Sequence, residues 1–226
     1  MKITNLKSGV KNPNRVNVFV DDKYSFSLDL TQVVDFKLKI GQEITPEKLA
    51  ELKSASDFGK LYQRTLEWAL IRPRSVRETR DYLQRKLRTS FEGHPQLRRG
   101  RSEEPRNDGR EERPEEDRSK FSNTIITRLQ EKGYLNDETF AKYYVENRFV
   151  KKGIGKKRLR LELIKKGISQ DIIDEVLNAR NDETEIKKVI AKKRAKYDDD
   201  KLISYLVRQG FDYQLAQTLV HSSETD

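Results

Sequence analysis

The first 56 residues carry a pattern of hydrophobic and polar positions that differs from the rest of the chain. Residues 16–20 and 24–28 place apolar side chains at every second position, on either side of Asp21-Asp22-Lys23. Period-two alternation around a short polar turn is typical of a β-hairpin. Thr45 and Pro46 have the spacing of an N-cap and a first helical residue, which predicts a short helix after them. Residues 1–56 are therefore predicted to form an N-terminal β-hairpin plus short helix module.

From residue 57 onward the apolar positions recur at helical spacing, and one stretch repeats another. IKKGISQDIIDEVL at 164–177 and VRQGFDYQLAQTLV at 207–220 coincide at an offset of 43 positions. The coincident pairs include Leu163 with Leu206, and Gly167 with Gly210, at positions where glycine ends a helix. A further helical segment precedes each of these pairs. The pattern predicts a repeated unit of three helices.

A first unit is interrupted by a charged segment. Leu83 matches Leu163 at an offset of 80, and Phe121 matches Ile168 at an offset of 47. The difference, 80 − 47 = 33, equals the length of segment 88–120, which holds nine cations and nine anions. This segment is predicted to be a disordered insertion, because residues 98–120 include no apolar residue whose burial could offset the entropy lost on ordering.

The predicted fold class is mainly α, with three tandem three-helix repeats in an elongated arrangement after a small N-terminal β-hairpin/α module. The repeats are assigned to 57–136, 137–180 and 183–222. Only 34% of the residues are hydrophobic and 37% are charged, which suits small helical units with wide solvated faces.

The net charge of +10 is concentrated in two places. Segment 142–166 has ten cations and two anions, and segment 186–196 has six cations and no anion, whereas 167–185 and 197–226 are acidic. Clustering of this kind favours a partner that carries phosphates or acidic surface. A solvated charged face without a binding role is the alternative for any single residue.

Catalysis and membrane insertion find little support. The chain has no cysteine, which removes disulfides, thiol catalysis and zinc ribbons, and its two histidines, His94 and His221, have no triad or metal partners nearby in sequence. No phosphate-binding glycine loop, secretory signal or apolar span is visible. Asp198–Asp200 are better explained as a helix cap than as a metal site. We expect no catalytic residue, cofactor or metal, and a cytoplasmic location.

Three stretches resemble the RecX family of bacterial recombination regulators: EWALIRPRSVRETRDYLQRKL, LQEKGYLNDETFAKYYVENR and LRLELIKKGISQDIIDEVL. NPNRVNVFVDDKYSFSLD is similar to a module of longer members. The resemblance implies a non-enzymatic regulator of DNA repair, homologous recombination and the SOS response. It would bind the RecA–DNA filament and inhibit RecA ATP hydrolysis, strand exchange and co-protease activity. A monomer is expected.

The candidate filament- or DNA-binding residues are the clustered cations, which would neutralise phosphates or pair with acidic groups. They are Lys151, Lys152, Lys156, Lys157, Arg158, Arg160, Lys187, Lys188, Lys192, Lys193 and Arg194, with Arg72 and Arg74 from the family-like element. Two alternatives stay open. The chain could be an autonomous DNA-binding protein that affects recombination only by competing for DNA, or a metal-dependent nuclease built from distant acids.

Overall fold

The structure is a computed structural model that describes residues 1–9, 12–91, 115–148 and 153–222. Within these residues it is mostly helical, with a small antiparallel sheet at the N-terminus, so the predicted fold class is confirmed. Each group of elements encloses its own cluster of buried apolar side chains.

The N-terminal sheet has the strand order β1-β2-β3, with β1 at Ile3–Ser8, β2 at Arg15–Val20 and β3 at Lys23–Asp29. The predicted hairpin is confirmed as β2 and β3. Asp21 and Asp22 both have positive φ, 47° and 62°, which is the backbone that a two-residue hairpin turn needs. Strand β1 extends the sheet beyond the prediction.

A single long helix connects the sheet to the rest of the chain. Helix α1 spans Leu30–Asp35, and α2 spans Pro46–Leu70, with Thr45 as its N-cap. The predicted short helix and the next predicted helix are therefore one element of 25 residues. A Cβ at Gly59, inside α2, would lie 3.0 Å from Oε1 of Gln32, so α2 and α1 approach each other closely there.

Nine helices, counted in the described residues, form three groups of three around separate cores. We call these groups units one, two and three. Their helices are α2, α3 (Val76–Phe91) and α4 (Glu115–Glu131); α5 (Asp137–Arg148), α6 (Lys156–Lys165) and α7 (Gln170–Asn178); α8 (Asp182–Lys193), α9 (Asp199–Arg208) and α10 (Tyr213–Ser222).

The charged segment 88–120 is helical at both of its ends. Helix α3 continues to Phe91 and α4 begins at Glu115, so residues 88–91 and 115–120 belong to helices rather than to a disordered insertion. The prediction for residues 92–114 lies outside the described residues.

Candidate partner-binding surface

Units one and two meet at a polar joint that begins at the N-terminus of α3. The first helical N–H, that of Val76, donates to Asp137 Oδ1 of unit two at 2.8 Å. The buried hydroxyl of Ser75 donates to the carbonyl of Lys166 at 2.9 Å. The Lys166 ammonium lies 2.6 Å from Glu78. Thus the start of α3 is capped by Ser75 of its own unit, whose Oγ accepts from the N–H of Glu78 at 3.0 Å, and by Asp137 of the next unit.

Units two and three meet in the same way at the N-terminus of α6. The N–H of Lys156 donates to Asp182 Oδ2 at 2.9 Å, and that of Gly155 donates to the carbonyl of Gln209 at 2.9 Å. Arg158 donates to Gln209 Oε1 at 3.2 Å. Residues 75, 76 and 78 correspond to 155, 156 and 158 at the repeat offset of 80, and residue 166 corresponds to 209 at the offset of 43. The two joints therefore use equivalent positions.

Glycine permits the close approach at the second joint. Gly210 has φ +89°, and a Cβ there would lie 2.6 Å from the backbone nitrogen of Arg158. The equivalent Gly167 has φ +78°, and its Cβ would lie 2.8 Å from the Cβ of Arg77. The glycines that end α6 and α9 therefore also set the distance between units.

Most candidates on α6 have anionic partners within the protein. Lys157 lies 2.9 Å from Asp212, and Arg160 lies 2.6 Å from Asp174. Arg158 pairs with Glu162 at 3.3 Å on the same helix. Lys156 and Lys157 also line an open cavity of about 600 Å³ between units two and three, together with Asp182 and Asp212. The α6 cluster thus contributes to the joint as well as to the surface.

The candidates on α8 are more exposed. Lys187 and Lys188 pair with acids on the same helix, Glu183 and Glu185, but about 60% of each lysine side chain remains exposed (62% and 61%). Lys192 is exposed on the last turn of the helix. Such surface pairs contribute little to stability, so these ammonium groups are available to an external anion.

The remaining two candidates at the C-terminal end of α8 have structural contacts. Lys193 lies over the rings of Tyr197 and Tyr205, 5.7 Å and 5.3 Å from their centroids. Arg194 donates to the carbonyl of Val220 at 2.9 Å and pairs with Asp199 at 3.2 Å. Lys151 and Lys152 lie outside the described residues.

Arg72 and Arg74 lie in the turn between α2 and α3, next to the first joint. Arg72 pairs with Glu78 at 3.2 Å, and the guanidinium of Arg74 stacks 4.0 Å from the Trp68 ring centroid. Trp68 in turn stacks on Tyr82 at 4.4 Å. Both arginines therefore fix the helix junction.

Two acids at the first joint have shifted pKa values of opposite direction. Burial would raise the pKa of Glu78, but the hydrogen bond from Lys166 and the charge of Arg72 outweigh it, and the pKa is lowered. Burial raises the pKa of Asp137, against the hydrogen bond that it accepts from Val76. Glu78 is therefore held as a charged partner at neutral pH.

A metal centre does not emerge from the described part of the chain. No group of three or more histidine, cysteine or acidic side chains there is placed to hold a metal ion. Asp198 is the N-cap of α9, since its Oδ1 accepts from the N–H of Lys201 at 2.9 Å, so the cap interpretation is confirmed. Over the same residues, no helix has the length and apolarity needed to cross a bilayer.

Sequence reasoning missed the joint acceptors Asp137 and Asp182, and it placed Ile164 and Val207 among the apolar positions of the repeat without showing that they are exposed. Ile164 and Val207 are 46% and 41% exposed, whereas Leu163 and Leu206, the residues directly before them, are buried. Each acid begins the first helix of its unit, and this shared place was the available signal.

Two family models match the chain. The "Regulatory protein RecX N-terminal domain" matches residues 1–45, and "RecX, second three-helix domain" matches residues 136–177. The first covers the sheet and α1, and the second covers unit two.

Curated relatives match along almost the whole chain. The regulatory protein RecX of Listeria monocytogenes serotype 4a (strain HCC23) is 25% identical over 96% of this chain and 74% of its own length. That of Bacillus subtilis (strain 168) is 28% identical over 98% of this chain and 77% of its own length.

Solved structures share the fold. A crystal structure of regulatory protein RecX superposes with a TM-score of 0.68 at 21% identity, covering 96% of this chain and 98% of that one. The structure of RecX from Lactobacillus salivarius gives 0.52 at 21% identity, covering 76% and 99%. At this identity the likeness establishes the architecture alone.

Proposed function

Because the chain belongs to the RecX family, we propose that it is a regulator of the RecA recombinase that acts by binding the RecA–DNA filament. The family match at two separate parts of the chain is the observation that carries this proposal. The matched model and relatives are described as regulatory proteins. We propose RecA as the regulated partner, DNA repair and the SOS response as the cellular context, and the cytoplasm as the location.

The proposed action is inhibitory and non-enzymatic. Binding along the filament would restrain ATP hydrolysis, strand exchange and co-protease activity by blocking extension of the filament or promoting its disassembly. The exposed lysines of α8, Lys187, Lys188 and Lys192, would supply attraction to the DNA phosphates or acidic surface of the filament.

A second candidate function is autonomous DNA binding, which the net charge of +10 favours. In that case the protein would affect recombination only by occupying DNA. The two candidates differ in stoichiometry, since a regulator of a filament can act at a small fraction of the RecA concentration, whereas a competitor must cover the DNA.

The decisive measurement is DNA-dependent ATP hydrolysis by preformed RecA filaments. This protein is added at concentrations well below that of RecA and too low to saturate the DNA. Inhibition there supports the regulator. Inhibition only when the protein covers the DNA supports the competitor and contradicts our proposal.

A charge-matched pair of variants tests the role of α8. Lys188→Ala with Lys192→Ala should weaken inhibition and reduce its salt dependence, because two exposed cations are lost from the proposed face. Lys23→Ala with Lys39→Ala removes the same charge from the N-terminal module and should have little effect. Equal effects of the two double variants would show that only net charge matters.

A further inference from the structure

Unit one has a cavity between α3 and α4. Its volume is about 1070 Å³, and Leu87 is the one apolar residue among the described residues that line it. Pockets that hold small-molecule ligands measure about 300–1,000 Å³, so this space is large enough for a ligand of that class. The polar lining predicts a polar or charged ligand rather than an apolar one.

The lining is strongly basic. Arg80, Arg85 and Arg88 come from α3 and Arg118 comes from α4, whereas Asp81 is the one acid among the described lining residues. Four cations and one anion leave a net charge of +3 around a single cavity. Guanidinium groups hold phosphate oxygens through paired N–H bonds, so a lining of this kind suits an oxyanion that carries several negative charges.

Two polar atoms of α4 are buried beside this cavity without a hydrogen-bond partner among the described residues. They are Nε of Arg118 and the hydroxyl oxygen of Ser122. Ser122 also lines the cavity and is only 3% exposed. Because the two residues are four positions apart, their side chains lie on the same side of α4. A buried polar group without a partner destabilises a fold, and a bound species that supplies the partner is one reason for keeping it.

We propose that the cavity between α3 and α4 binds a compact oligophosphate anion, of the class of inorganic triphosphate or the phosphate chain of a nucleoside triphosphate. Arginines from both helices would hold the phosphate oxygens, and the hydroxyl of Ser122 would donate to one of them. A nucleic-acid strand suits the site less well, because its phosphates follow one another along an extended backbone, whereas these cations surround one bounded space. The site involves neither RecA nor the lysines of α8, so it goes beyond the proposed function.

Three variants change the lining in different directions. Arg80→Ala with Arg118→Ala removes one cation from each helix and should weaken binding. Ser122→Ala should also weaken binding, but it should not lower the free energy of unfolding, because the hydroxyl that it removes has no partner among the described residues. Asp81→Asn removes the anion of the lining and should tighten binding, which a variant that merely damages the fold would not do.

The control is a pair of arginines outside the cavity. Arg64 in α2 and Arg208 in α9 are both exposed, so Arg64→Ala with Arg208→Ala removes the same charge as the first variant. Isothermal titration calorimetry of the full chain with inorganic triphosphate measures binding, and a short deoxythymidine strand is titrated in parallel. Urea unfolding of each variant gives its stability.

We expect the Arg80 and Arg118 double variant to bind triphosphate at least about tenfold more weakly and Ser122→Ala about three- to tenfold more weakly. Asp81→Asn should bind about two- to fivefold more tightly, and the control should stay within about twofold of the parent. The inference is overturned if the parent does not bind triphosphate, or if the control loses as much affinity as the double variant. A deoxythymidine strand that binds as tightly per phosphate, with the same response to the variants, would assign the cavity to nucleic acid and also overturn it. A destabilised Ser122→Ala would show that the hydroxyl already has a partner, contrary to the argument. These outcomes leave the proposed function untouched, since RecA takes no part in the experiment.

Discussion

Replacement of Gly210 by alanine should open the joint between units two and three. Gly210 has φ +89°, and a Cβ there would lie 2.4 Å from the Cβ and 2.6 Å from the backbone nitrogen of Arg158. The nitrogen belongs to the first turn of α6, so no side-chain rotation can relieve the clash. Either the backbone of Gly210 or the whole of α6 must shift.

The expected loss of stability has two parts, and a second glycine separates them. The left-handed backbone conformation costs alanine about 1–2 kcal/mol, partly offset by about 0.4–1 kcal/mol from the restricted unfolded chain. Overpacking against Arg158 adds about 1–3 kcal/mol. Gly133 has φ +73° with nothing within 4 Å of its Cβ position, so Gly133→Ala carries only the first part. Gly210→Ala should therefore be about 1–3 kcal/mol less stable than Gly133→Ala.

Two measurements check this prediction. Urea unfolding followed by far-UV circular dichroism gives the difference in free energy of unfolding. Spin labels on Leu161→Cys and Ser204→Cys, in α6 and α9, give the distance between units two and three, since the chain has no other cysteine. We expect the label distance to shift or broaden in Gly210→Ala and to stay unchanged in Gly133→Ala. Equal unfolding free energies and equal distances in the two variants would refute the joint as a close-packed contact.

Three further predictions concern the polar contacts. Asp182→Ala should lower the free energy of unfolding by about 2–4 kcal/mol, because the substitution removes a largely buried anion and the acceptor that caps the N–H of Lys156. Thermal unfolding measures this difference, and a change under about 0.5 kcal/mol would contradict the capping role. Glu78→Gln should flatten the dependence of stability on acid pH, because the lowered pKa of Glu78 stabilises the fold above its ordinary pKa of 4.5, and this stabilisation is lost as pH falls through the folded pKa. The free energy of unfolding, measured with urea between about pH 5 and pH 3, should therefore change less with pH in the variant than in the parent. Identical pH slopes would exclude this carboxylate as a source of the dependence. Ser56→Ala should cost about 1 kcal/mol, since its buried hydroxyl donates to a β3 carbonyl at 2.6 Å; an unchanged urea midpoint would show that this bond does not hold α2 to the sheet.

The repeat could be found in the sequence because each unit must bury its own apolar stripe. Leu163 and Leu206 coincide, as do the helix-ending glycines, since helix packing and helix termination both demand particular residue types. The family resemblance followed from the same stretches. The hairpin was equally visible, because one side of β2 is buried at every second residue.

Elements with a weaker signal were missed. In β1 only Ile3 is fully buried, so the strand lacks the alternation that reveals β2. The continuity of α2 was hidden by small and polar residues at 53–57, where the helix passes from the sheet core to the core of unit one. Gly59 lies in this part of α2, where its lack of a side chain allows close approach to Gln32.

The joints could not be predicted, because their partners are far apart in sequence. Lys157 and Asp212 are separated by 55 residues, and Ser75 and Lys166 by 91. A local count of charges therefore describes α6 as a basic cluster and cannot show which cations have partners. Whether the candidate cations touch a partner molecule stays a prediction.

The joints also account for the opposite charges at the starts of α6 and α9. Lys156-Lys157-Arg158 begin α6, where cations oppose the positive end of the helix dipole, and the compensating anions, Asp182 and Asp212, come from unit three. The equivalent positions in α9 are Asp199, Asp200 and Lys201, preceded by Asp198 as an N-cap from the same helix. Helix α9 thus begins with its own anions, whereas α6 depends on its neighbour. Reversing the charge at 156 and 157 should therefore leave unit two intact and weaken its contact with unit three. The largest basic cluster of the sequence thus helps to hold units two and three together in addition to supplying positive charge to the surface.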